Sequence, residues 1–220
     1  MKEFRILEIK ESVFEDNNKD AQRLREQLKN ENTFLLNLMS SPGAGKTSTL
    51  VETINILKDK LNIAVMEADI DSDVDAQTIM KTGTKVIQLH TGGMCHLDAD
   101  MTRQGLQGLD SNESDLIILE NVGNLVCPAE FDTGSTKNAM ILSVPEGDDK
   151  PLKYPLMFEI SDVLLINKID TMEVFDFDLD LCIERVKKIN PNIKIFPISA
   201  KTKEGIEEWT NWLYQEVKGA

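Results

Sequence analysis

The chain has 220 residues, enough to bury one full hydrophobic core in a single sizeable domain. Acidic residues number 38 against 24 basic ones, and the formal charge of −14 excludes nucleic acid and anionic membrane surfaces as natural partners. No apolar run approaches the ~20 residues of a membrane span, the opening Met1-Lys2-Glu3-Phe4-Arg5 lacks a signal-peptide core, and three cysteines do not make a disulfide framework. A cytoplasmic protein with reduced thiols is expected.

Residues 4–9 read as a short strand or extended arm. Residues 17–29 read as a helix with Ala21, Leu24 and Leu28 on one face. Next comes an apolar strand at residues 34–39, then Ser40-Ser41-Pro42-Gly43-Ala44-Gly45-Lys46-Thr47-Ser48, then a helical pattern at residues 48–60. Strand, glycine-rich turn, Gly-Lys-Thr and helix together make the context of a phosphate-binding loop. Glycines let the backbone N–H groups at Gly43, Ala44 and Gly45 point inward, and the helix adds the positive end of its dipole. Lys46 supplies a point charge for the β- and γ-phosphates, and the Thr47 hydroxyl can ligate Mg²⁺, with Ser48 next to it. The usual first glycine of the motif is replaced by Ser40.

A second buried strand, residues 63–68, runs into Asp69, Asp71, Asp73 and Asp75. Carboxylates past the end of a parallel strand stand where ligands bind in open α/β folds. Asp69 and Asp75 are the candidates for Mg²⁺ and water positioning, while Asp73 suits a cap for a helix over residues 74–81. Residues 85–89 form a third strand. Both histidines of the chain follow, in His90-Thr91-Gly92-Gly93-Met94-Cys95-His96. A thiolate beside an imidazole suits Ni²⁺ or Zn²⁺, but adjacent residues cannot complete the site alone. The fourth strand, residues 115–120, ends in Glu120-Asn121-Val122-Gly123, the pattern of a γ-phosphate switch. Cys127 lies on that same segment. If the strands ending at Leu89 and Glu120 are neighbours, Cys127 is expected near Cys95 and His96.

A fifth strand at residues 139–144 leads to a stiff, charged loop at 145–155. The sixth, 163–166, ends in Asn167-Lys168-Ile169-Asp170. Asp170 can accept both guanine N1–H and the exocyclic amine, which selects GTP over ATP. Asn167 can bond the base or brace nearby loops, and the Lys168 stem can cover it. A last strand at 193–196 precedes Ser199-Ala200-Lys201, where the Ala200 N–H can meet guanine O6. A closing helix over 203–218 buries Ile206, Trp209, Leu213 and Val217. Cys182 reads as a core residue. The expected fold is α/β: a P-loop NTPase with a mainly parallel sheet and helices on both faces. Residues 1–32 form an N-terminal arm and helix, and 33–220 the P-loop domain.

These motifs in this order resemble a SIMIBI-class GTPase. Gly92-Gly93-Met94-Cys95-His96-Leu97-Asp98-Ala99 together with Glu120-Asn121-Val122-Gly123-Asn124-Leu125-Val126-Cys127-Pro128 is specifically similar to the HypB-type hydrogenase maturation factors. Related urease GTPases carry Cys-Pro-His in place of Cys-His. The resemblance implies nickel delivery to the large subunit of [NiFe] hydrogenase coupled to GTP hydrolysis. No residue in the motifs is an obvious strong general base, so slow intrinsic turnover is expected. The resemblance also implies a GTP-favoured homodimer and a HypA-type nickel metallochaperone as partner. Lys46 and Thr47 would bind phosphate and Mg²⁺, with Asp75 and Glu120 shaping the Mg²⁺ environment. Cys95, His96 and Cys127 would hold Ni²⁺ or Zn²⁺, and residues 150–153 would form a dimer contact. Residues 1–32 contain no Cys or His for the N-terminal nickel site that many members carry, and Asp100 stands where some place a second metal histidine. Rival readings are a GTPase chaperone for another metallocentre, of urease or cobalamin-enzyme type, and a metal-binding scaffold that uses GTP only to dimerise.

Overall fold

The computed structural model describes the backbone of residues 2–69, 74–109 and 113–220, with side chains from residue 16 onward in those stretches. Seven strands form one sheet: β1 (Phe34–Ser40), β2 (Ile63–Asp69), β3 (Lys85–His90), β4 (Leu116–Glu120), β5 (Lys137–Ser143), β6 (Val163–Asn167) and β7 (Lys194–Pro197). Their order is β3-β2-β4-β1-β5-β6-β7, and every pairing is parallel. The fold is the α/β P-loop architecture with helices on both faces. β1, β4 and β6 are buried along their whole length, as strands covered on both faces must be.

Alternation along β1 splits the core in two. Leu36 and Leu38 face α2 (Lys46–Leu57) and α9 (Ile206–Gly219), packing with Leu50, Ile54, Trp209 and Leu213. The Trp209 indole N–H donates to Thr53 Oγ1 at 2.9 Å, which ties α9 to α2. On the opposite face, Leu35 packs with Leu24 and Leu28 of α1 (Lys2–Asn30), while Met39 packs with Phe158 and Val186. Those two side chains belong to α7 (Pro155–Glu159) and α8 (Leu179–Ile189).

Several expectations change. Residues 4–9 are neither strand nor extended arm, because α1 runs through them from Lys2. The stretch 145–155 is a 3-10 turn (Val144–Glu146), a short helix α6 (Lys150–Lys153) and the start of α7. Pro151 and Pro155 stand in first helical turns, where a missing N–H costs nothing and the fixed φ is already helical. The remaining helices are α3 (Val74–Met80), α4 (Ala99–Leu109) and α5 (Cys127–Glu130). Cys182 is fully buried in α8, and burial pushes its thiol up to about 12. Among the described residues no helix is long and apolar enough to cross a membrane.

The sheet order reverses around β1. The chain leaves β1 towards β2 and β3, comes back to insert β4 beside β1, then continues to β5 on the other side. A crevice outside the carboxyl ends of strands at such a reversal is the standing ligand position of open α/β sheets.

Candidate functional site

The phosphate-binding loop leaves β1 at Ser40 and enters α2 at Lys46. Gly43 and Gly45 adopt φ of +76° and +96°, open to glycine at little cost. A Cβ on Gly45 would lie 2.4 Å from Asn167 Nδ2, so the loop has no room for a side chain there. Ser40, in place of the customary glycine, is fully buried, and the Lys46 ammonium donates to its Oγ at 3.3 Å. The Ser41 hydroxyl donates to Glu146. Thr47 Oγ1 donates to Glu120 Oε1 at 2.9 Å, which joins the loop to the end of β4. Gly123 packs against the loop, and a Cβ there would meet Pro42 at 3.2 Å.

Glu120 is 2 % exposed, and its carboxyl is pushed up to about 7 by burial, against the pull of Lys46 and the Thr47 hydroxyl. Beside it in register on β2 stands Glu67, also 2 % exposed. Burial, then the charge of Glu120, raises the Glu67 carboxyl to about 8. Glu67 Oε2 and Glu120 Oε2 are buried without a hydrogen-bond partner. Carboxylate oxygens of Glu67, Asp69 and Asp75 lie within 4.8 Å of one another. Buried orphan carboxylate oxygens beside a threonine hydroxyl form a hard, all-oxygen donor set that fits a divalent cation such as Mg²⁺. Sequence reasoning missed Glu67. Its signal was a lone carboxylate inside the apolar run Ala64-Val65-Met66-Glu67-Ala68. Asp71 and Asp73, with the expected helix cap, lie outside the described residues.

Asn167, Lys168 and Asp170 meet the loop from the other side. Asn167 Nδ2 donates to the Ala44 carbonyl at 2.9 Å, and the Lys168 ammonium donates to the Gly43 carbonyl at 2.7 Å. Lys168 holds φ of 65°, which aims its stem over the loop. Ser199 Oγ donates to Asp170 Oδ1 at 2.7 Å, and the exposed Lys201 ammonium stands 3.9 Å from Oδ2. The Ala200 N–H, expected to face a base oxygen, donates instead to Asn167 Oδ1 at 3.1 Å. Two adjoining cavities of about 580 and 570 Å³ share Gly45, Thr47, Ser48, Asp75 and Lys168. The first reaches Lys46, Asp69 and Gly123, and the second reaches Asn167, Asp170 and Ala200. The pair is a crevice with a polar phosphate end and a base end. A larger cleft of about 850 Å³ opens near Lys58, Thr84 and Glu113, at the amino ends of β2 and β3 and away from these groups.

Cys95 and Cys127 come together, with their sulfurs 2.6 Å apart, and His96 Nδ1 lies 4.0 Å from the Cys95 sulfur. The route differs from the one expected. β3 and β4 are not neighbours, because β2 lies between them. Two strand spacings are only about 10 Å, and residues 91–94 and 121–126 bridge them over the carboxyl end of β2. The contact with the Cys95 thiol, then burial, raises the Cys127 thiol above the usual range. Burial lowers His96, so its ring stays neutral and able to ligate. His96 is 7 % exposed, and its imidazole stacks on Phe131, with centroids 3.8 Å apart and planes at 12°. Two half-buried thiols and an imidazole form a soft donor set for Ni²⁺ or Zn²⁺. The Phe131 stack leaves no periodic trace in the sequence.

The family model for the CobW/HypB/UreG nucleotide-binding domain matches residues 34–197, and with the phosphate loop at a sheet reversal it defines a P-loop nucleotide-binding protein of that class. The hydrogenase maturation factor HypB of Escherichia coli K12 is 45 % identical over 213 residues, covering 97 % of this chain and 73 % of that protein. The hydrogenase/urease maturation factor HypB of Helicobacter pylori strain 26695 is 39 % identical over 216 residues, covering 96 % and 88 %. A crystal structure of HypB from Helicobacter pylori in complex with nickel superposes with a TM-score of 0.87 at 38 % identity, covering 93 % of this chain and 96 % of the other. The chain belongs to the HypB family of hydrogenase maturation factors.

Proposed function

We propose that this chain is a GTP-binding and GTP-hydrolysing metallochaperone that couples hydrolysis to nickel insertion into [NiFe] hydrogenase. The observation that carries the proposal is the 2.6 Å approach of Cys95 to Cys127, because Cys127 lies on the segment that begins at Glu120 and Gly123 beside the phosphate loop. A metal held there shares its backbone with groups that read the γ-phosphate. The nickel bound in the Helicobacter pylori relative supports the cargo.

In this reading residues 33–220 are the GTPase domain and 1–32 an N-terminal segment, helical over Lys2–Asn30, that docks on it. Thr47, Asp75 and Glu120 would hold Mg²⁺, whose charge offsets that of the phosphates. Backbone N–H groups of residues 43–48 and the Lys46 ammonium bind the phosphates, and the Gly123 N–H reaches the γ-phosphate. Asp69 orients the neighbouring shell, and Asp170 reads guanine with Ser199, Ala200 and Lys201 bracing it. In this reading the carboxylates Asp69 and Asp75 that line the phosphate end belong to the Mg²⁺ shell, so among the described residues no dedicated general base is assigned and intrinsic turnover is slow. GTP orders the switch segments and favours a homodimer, with α6 at the contact. Hydrolysis loosens the Cys95, His96 and Cys127 set, and nickel passes to the hydrogenase large subunit. A HypA-type metallochaperone is the partner in this transfer.

The experiment compares the chain with Lys46→Ala, both for GTP turnover and for restoring hydrogenase activity to a strain lacking the gene. Slow turnover that disappears in Lys46→Ala together with hydrogenase activity is expected. A Lys46→Ala chain that still restores hydrogenase would overturn the coupling. Urease is a second nickel target, favoured by the dual description of the Helicobacter pylori relative. Assaying urease in the same strain separates the two.

A further inference from the structure

α1 bonds the two chain segments that continue from the halves of the thiol and imidazole site, and one of its side chains reaches both. Asn17 Nδ2 donates to the Asp132 carbonyl at 3.0 Å, and Asn17 Oδ1 accepts from the Ala99 N–H at 3.0 Å. Both partners are backbone groups of fixed polarity, so the amide has one orientation only. Ala99 follows His96 by three residues, and Asp132 follows the Phe131 that stacks on His96. The carboxamide therefore ties together the two chain segments that carry the donors, one bearing Cys95 and His96 and the other bearing Cys127.

A second tie reinforces it. Arg25, two turns further along α1, sets its Nη2 at 2.7 and 2.8 Å from the two oxygens of the Asp132 carboxylate, and its Nε donates to the Ser135 carbonyl at 2.9 Å. The charge-assisted contact through Nη2 and the Nε bond to Ser135 hold the guanidinium at two points, which fixes orientation as well as distance. Gly134 packs so tightly on the helix that a Cβ would meet Leu24 at 2.9 Å. Leu97, next to His96, packs in the same apolar cluster as Leu24 and Leu28. Neither Asn17 nor Arg25 lines the nucleotide crevice.

We infer that α1 is a positioning strap for the metal site, with Asn17 the staple that sets the separation of Cys95 and His96 from Cys127. The inference rests on the reading of those three residues as metal ligands. A metal site keeps its affinity only while its donors stay in register, and outer partners that orient ligands are worth about 10–100-fold in affinity.

The test titrates Ni²⁺ into the full chain under reducing conditions, following the thiolate-to-nickel charge-transfer absorption and competition with a chromogenic chelator. Wild type, Asn17→Ala, Asn17→Asp, Arg25→Lys and Cys95→Ala are compared, with fluorescent GDP binding and thermal melting measured on each. Asn17→Asp keeps the shape and the acceptor for Ala99 but sets a carboxylate against the Asp132 carbonyl. Expected is a loss of about tenfold or more in Ni²⁺ affinity and an altered charge-transfer band in both Asn17 variants. A smaller loss is expected in Arg25→Lys, and GDP affinity stays within about twofold throughout. Unchanged Ni²⁺ affinity in the Asn17 variants, while Cys95→Ala abolishes binding, would overturn the strap but keep the metal site. Ni²⁺ binding that ignores Cys95→Ala would overturn the metal site itself. Parallel loss of GDP and Ni²⁺ binding in the Asn17 variants would reduce α1 to general scaffolding and overturn the strap. If Asn17→Ala fails to fold, Asn17→Asp and Arg25→Lys still decide.

Discussion

Glu67 and Glu120 stand side by side on adjacent strands, each with one buried oxygen lacking a partner. Their carboxyls are raised from an ordinary 4.5 to about 8 and about 7, mainly by burial. The unfolded chain ionises them near pH 4.5, whereas the folded chain keeps them protonated to higher pH. The folded state thus binds more protons in that window, and the stability these groups contribute is lost as pH rises towards 8. Glu67→Gln removes the larger shift while keeping a neutral polar group beside Gln88. Without nucleotide or metal, its melting temperature should exceed that of wild type by about 5 °C or more at pH 8. The gap should close towards pH 5. A gap independent of pH would show that Glu67 is not a buried, proton-holding carboxyl. The sequence displayed Glu120 because it ends a strand before Asn121-Val122-Gly123, a pattern with a known chemistry. Glu67 carried no such flag, since only the strand order shows that it faces Glu120.

At the scale of elements, the strands and most helices were legible because their apolar periods are clear. β1, β4 and β6 read as buried runs and are buried throughout. The helices of the 145–155 stretch were not legible, because four or five residues carry no period and proline in a first helical turn looks like loop punctuation. The meeting of Cys95 with Cys127 was expected, but for the wrong reason: β2 separates β3 from β4, and the connecting segments cross above it. Sheet order is set by competition among long-range pairings, which no local window of sequence contains. The latch between α9 and α2 gives a prediction at this scale. Trp209→Phe removes the indole donor to Thr53 inside the core. It should cost about 1–3 kcal/mol by denaturant unfolding, from a lost buried hydrogen bond and a small cavity. Fluorescent GDP affinity should be unchanged, because Trp209 does not line the crevice. A large loss of GDP affinity would mean that α9 shapes the phosphate loop.

For the whole molecule, one topological event accounts for most of the arrangement. Inserting β4 between β2 and β1 brings Glu120 to Thr47, and the segment that leaves β4 carries Gly123 to Pro42 and Cys127 to Cys95. One continuous stretch, from Glu120 to Cys127, therefore joins the phosphate end to the thiol pair, with β2 and its carboxylates between. The motifs on either side were readable, and so was the place of Cys127 on the switch segment that follows Glu120. The crossing over β2 that brings that segment to Cys95 was not, nor was the bracing of the thiol site by α1. The central claim is the connection of phosphate end to thiol pair, and the most direct measurement is Ni²⁺ affinity of the full chain loaded with GDP or with a non-hydrolysable GTP analogue, for wild type and Cys95→Ala. The account predicts that tight binding requires Cys95 and differs by about fivefold or more between the two nucleotide states. Equal Ni²⁺ affinity in both states would contradict it.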